Sequence, residues 1–78
     1  MANSRDAVQT AVSFIKEHQE LSDLRIEQAS FDRKENEWEV QLSFAGPNGE
    51  QRSYKRFLMT ESQGKLEVVS MHECPPPG

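Results

Sequence analysis

The Asn48-Gly49 pair constrains this chain more than any other feature. Asn-Gly accepts the two positive φ angles of a type I′ turn, whose twist matches that of two antiparallel strands. Before it, Trp38, Val40, Leu42 and Phe44 alternate with Glu37, Glu39, Gln41 and Ser43 at a period of two. After it, Tyr54 to Thr60 is again rich in aromatic and apolar residues. The segment therefore predicts a β-hairpin.

The turn also fixes a register. With Asn48 and Gly49 at the central positions, Pro47 opposes Glu50, Gln41 faces Arg56, Val40 faces Phe57 and Trp38 faces Met59. Phe57 and Met59 then join Trp38 in the core, and Tyr54, Arg56 and Leu58 fall on the far face, where they add little to folding. A one-residue slip would exchange the two sets, because side chains alternate with period two. The Asn-Gly placement selects the first register.

The rest of the chain builds around this hairpin. Ala7, Val8, Ala11, Val12, Phe14 and Ile15 recur at three- and four-residue spacing, which predicts an amphipathic helix of about four turns. Asn3 or Ser4 can cap it and Asp6 suits its positive end, with fraying expected from His18 to Leu21. Leu24 to Phe31 is the first strand. Leu24 and Ile26 share one parity while Ala29 and Phe31 share the other. Either a bulge falls near Gln28-Ala29 or only half of the segment is strand. Asp32 to Asn36 is a polar connection, and Gly64 suits a positive-φ turn after Glu61-Ser62-Gln63. Lys65 to Met71 is the last strand, and the prolines after Cys74 cannot continue a sheet.

The expected architecture is α+β: one helix packed on a four-stranded antiparallel meander, with one sheet face buried and the other open to water. Residues 1–72 form a single domain and 73–78 a flexible proline-rich tail. At 78 residues the core is small and its stability margin thin, so self-association as a homodimer stays open alongside a well-packed monomer.

Charge and composition exclude some function classes. A net charge of −4 argues against nucleic acid as the main partner, since phosphate binding needs a dense basic surface. Arg52, Lys55 and Arg56 cluster, but Glu37, Glu39 and Glu50 are expected across the hairpin from them. The N-terminus has no apolar stretch before a cleavage site, and no run approaches the roughly 18 apolar residues of a membrane span. A cytoplasmic location without membrane contact is the expectation.

No constellation carries catalysis. His72 and Cys74 could offer a soft metal two ligands, short of the four a structural site needs. Cys74, the single cysteine, can form no intramolecular disulfide, and on a tail beside prolines it lacks a positioned base. Glu35, Glu37 and Glu39 would need a cleft to act as an acid–base pair. No Gly-x-Ser-x-Gly elbow or phosphate-cradling glycine motif is present. No cofactor or metal is expected.

The candidate site is the outer sheet face. Tyr54, Arg56 and Leu58 should stand there with Gln41, Glu39 and Lys55 as a mixed apolar and charged patch, and tyrosine and arginine are enriched at protein-binding hot spots.

The segment from Tyr54 through Leu58 and Gly64 to Leu66 resembles the end of a PepSY-type domain. That family is similar in its helix, its aromatic-bearing strand with alternating apolar residues, its Gly turn and its closing strand. Thr60-Glu61 stands where the family usually has an acidic residue after the third strand. The resemblance implies non-catalytic roles in protease inhibition or regulatory binding, and it supplies no catalytic residue. The reading is therefore a non-enzymatic binding or regulatory module, an inhibitor of a partner protein among its possible forms, that acts through its sheet face or an edge strand. The alternative is a homodimer holding a small ligand, or performing catalysis, in a pocket between two sheets lined by Trp38 or Tyr54.

Overall fold

The computed structural model describes residues 3–18, 20–46 and 51–75. Helix α1 (Ser4–His18) opens with a reciprocal cap. Asn3 Oδ1 accepts the Asp6 N–H at 3.0 Å, and Asp6 Oδ2 accepts the Asn3 N–H at 3.2 Å. Each side chain thereby satisfies a main-chain donor that the helix start would leave unpaired. Ala7, Ala11 and Ile15 are buried. Their four-residue spacing presents one line to the sheet, and the two alanines let the helix approach closely.

The sheet is a meander of β1 (Ser22–Asp32), β2 (Glu37–Ala45), β3 (Ser53–Ser62) and β4 (Lys65–Cys74), in spatial order β1-β2-β3-β4 with every neighbour antiparallel. The Asn48-Gly49 turn lies outside the described residues, but the strands it joins pair as it predicts: Gln41 with Arg56, Val40 with Phe57 and Trp38 with Met59. Val40, Leu42, Phe44, Phe57 and Met59 accordingly meet Ala7, Ala11 and Ile15 in the core. Each large side chain buried this way contributes about 1.5–3 kcal/mol. Trp38 is half-buried against this core, with its ring 5.0 Å from that of Phe31.

Both edge strands are bulged, and the bulges reconcile their mixed parity. In β1 the register shifts between Ile26 and Gln28, which makes Glu27 the extra residue. Ile26 then opposes Leu42 while Ala29 opposes Val40 and Phe31 opposes Trp38, all on the helix side. The whole of Leu24 to Phe31 is thus strand, and the bulge sits one residue before the position expected. β4 shifts at Val69, so Val68 opposes Met59 and Met71 opposes Phe57. The two hairpins flanking the centre close tightly. Asp32 Oδ1 accepts the Lys34 N–H at 2.9 Å, and Gln63 and Gly64 take φ of 53° and 78°.

Three expectations need correction. β4 continues through Cys74, which pairs with Tyr54 and is half-buried, so residues 73 and 74 are sheet and not tail. Only after Cys74 does proline remove the ladder donor. Lys55 opposes Leu42 and so belongs to the helix side, where Nζ lies 3.3 Å from Glu73 Oε1. Finally, the far face is not open to water throughout: Ser43, on that face, is completely buried.

Candidate protein-binding face

The register of β2 and β3 gathers the candidate residues on the far side of the sheet from α1. Glu39 opposes Leu58, Gln41 opposes Arg56 and Ser43 opposes Tyr54. β4 extends the same rows, placing Ser70 beside Leu58, His72 beside Arg56 and Cys74 beside Tyr54. Tyr54, Arg56, Leu58, Gln41 and Glu39 are thus contiguous, and all five are half-buried. Long side chains lying across a twisted sheet cover one another's stems, which is why none stands fully exposed.

Polar contacts hold part of the patch in place. Arg56 Nε lies 2.8 Å from Glu39 Oε1, an ion pair without the direction of a hydrogen bond, since Nε has no hydrogen-bond partner. Gln41 Nε2 donates to the same carboxylate oxygen at 3.3 Å. Glu39 is therefore engaged by its neighbours, and Glu35 stands apart in the β1–β2 turn with its N–H directed to Asp32. Glu35, in the turn, is thus separated from Glu39 on the sheet face.

A second polar cluster bounds the patch at the Ser43 end. The Ser43 hydroxyl donates to Glu27 Oε2 at 2.7 Å and accepts from Arg52 Nη1 at 2.9 Å. Arg52 Nη2 donates to the Asp23 carbonyl at 3.0 Å and also pairs with the Asp23 carboxylate. This network joins the β1 bulge to the start of β3, and its one fully buried hydroxyl has both a donor and an acceptor, as burial requires. Glu27 escaped the sequence reading. Its signal was its place between the two apolar parities of β1, which is where a bulge turns a charged residue onto a neighbouring strand.

Beside this network Glu27, Gln41, Tyr54, Lys55, Cys74 and Pro75 line a cavity of about 250 Å³. His72 and Cys74 share the far face with Arg56 and Tyr54 respectively. Among the described residues no three His, Cys, Asp or Glu side chains gather as a metal site requires, and no helix is long and apolar enough to cross a membrane. No protein-family model matches the chain, and no curated protein or solved structure matches it significantly.

Proposed function

We propose that the chain is a non-enzymatic binding module that engages a partner protein through the far face of its sheet. The observation that carries this reading is the contiguity of Tyr54, Arg56 and Leu58 with Gln41 and Glu39 on the two central strands. A hot spot needs an aromatic or arginine anchor that a partner can desolvate, within a rim that excludes water. Half-buried Tyr54 and Arg56 supply such anchors at little further ordering cost, because neighbours already restrain their stems. The PepSY-type resemblance favours the same class of role, regulatory binding or inhibition.

Capture from the native host's lysate tests it. Wild-type chain and the Tyr54→Ala/Arg56→Ala variant are compared by mass spectrometry after circular dichroism confirms that both are folded. A protein retained by the first and lost by the second supports the proposal; equal retention by both contradicts it.

A second reading rests on the cavity beside Tyr54. At about 250 Å³ it falls just below the usual range of ligand pockets, roughly 300–1,000 Å³, and two apposed far faces would enlarge it. A dimer in sedimentation that Tyr54→Ala dissociates would favour this homodimeric small-ligand reading.

A further inference from the structure

The first half of β1 is held to the sheet by side chains as much as by its ladder. Between Ser22, opposite Ala45, and Arg25, opposite Ser43, β1 carries one residue more than β2, and Glu27 is a second extra residue. Regular pairing is thus interrupted twice between Ser22 and Gln28. Over the same stretch only Leu24 is half-buried, and every other residue is exposed. Asp23 takes a φ of 50°, the left-handed region that a residue with a Cβ enters at a cost. Few apolar contacts and a broken ladder mark the part of a fold that opens most easily. What fastens this segment is Arg52, whose guanidinium reaches it across β2. Its Nη1 donates to the Ser43 hydroxyl at 2.9 Å; its Nη2 donates to the Asp23 carbonyl at 3.0 Å and pairs with the Asp23 carboxylate. The Ser43 hydroxyl in turn donates to Glu27. Both irregular sites are therefore tied, directly or through Ser43, to one side chain. Arg25 Nη2 lies 3.2 Å from the same Asp23 carboxylate, which is exposed enough for salt to screen both pairs.

We propose that Ser22 to Glu27 is a latch gated by ionic strength. It opens as a unit, with α1 and the central strands in place, when screening or loss of the Asp23 charge loosens the hold of Arg52. Glu27 belongs to this segment and walls the cavity beside Tyr54. Opening carries Glu27 away and widens the cavity from the β1 side. Access to the Tyr54 end of the far face is thereby set by a segment at the sheet edge. The latch stands on the β1 geometry and does not depend on what binds the far face.

The test is amide hydrogen exchange followed by NMR, on the wild-type chain at about 0.02 M and about 0.5 M sodium chloride and on Asp23→Asn at low salt. Asparagine suits a positive φ as aspartate does, so this variant removes the charge without adding strain. Val40 and Phe57, fully buried on the central strands, are the reference amides. The expected result is that the protected amides of Ser22 to Glu27 exchange about three- to tenfold faster at high salt and in Asp23→Asn, as weakening two ion pairs implies, while the references hold. Cys74, which also lines the cavity, should react faster with iodoacetamide in Asp23→Asn than in wild type. Should the variant lose its fold, the salt series on the wild-type chain decides alone. Exchange at Ser22 to Glu27 that rises only in step with Val40 and Phe57 would make the opening global unfolding. Exchange that does not rise would show that Arg52 is not what holds the segment. Either result overturns the proposal, and unchanged Cys74 reactivity in a variant whose segment opens overturns its link to the cavity.

Discussion

Ser43 shows how much a single small residue can hold together. Its hydroxyl is fully buried, gives its proton to Glu27 and accepts from Arg52, which in turn grips Asp23. Ser43→Ala removes both bonds and leaves a guanidinium and a carboxylate each one partner short. Glu27 is exposed enough for water to replace its lost donor, so the expected cost is about 1–2 kcal/mol. A urea midpoint unchanged from wild type would show that the network is ornamental. The opposite sign is expected at Gln63, a non-glycine residue held at φ 53°. Asparagine tolerates this conformation better, so Gln63→Asn should stabilise the chain by up to about 1 kcal/mol in the same assay.

At the scale of elements, the helix and the bulged edges decide whether the sheet has one apolar face. Ile15 is the largest helix side chain in the core, and Ile15→Ala should cost on the order of 2–4 kcal/mol through transfer and cavity terms. Unfolding at the wild-type denaturant concentration would mean that α1 is not docked. Deleting Glu27 would remove the β1 bulge, so that Leu24 and Ile26 could no longer share the helix side with Ala29 and Phe31. Loss of the cooperative transition or a marked fall in midpoint is expected. These elements were legible in the sequence to different degrees. The β2–β3 register was readable because Asn48-Gly49 admits one turn geometry and Trp38 to Phe44 alternates without exception. The β1 conflict announced a bulge but not its exact residue, since local parity cannot say which of Glu27, Gln28 or Ala29 is extra. The extension of β4 to Cys74 was hidden, because Tyr54 across the strands supplies the pairing that holds it and the nearby prolines argue for an earlier end. The far-face patch could be read from register alone, whereas the Asp23–Arg52–Ser43–Glu27 network joins residues up to 29 apart, and beyond the parity break around Glu27 no local pattern marked it.

For the whole molecule, one helix covers the middle of one face of a four-stranded sheet, with Ile26, Phe31 and Met71 exposed at its edges, and the opposite face carries no helix among the described residues. A domain this size has only several kcal/mol of net stability, so a loss of one or two on either face is readily measured. Tyr54, Arg56 and Leu58 stand together on the uncovered side, where the proposed binding face lies. The most direct measurement is a calorimetric titration of the captured partner with wild-type chain and with Tyr54→Ala/Arg56→Ala. Both residues are half-buried, so the double change should lower folding stability by on the order of 1–2 kcal/mol while leaving the chain folded. Partner binding should weaken by about 2 kcal/mol or more, roughly thirtyfold in Kd. Affinity within a factor of about two of wild type, measured on a folded variant, would contradict it.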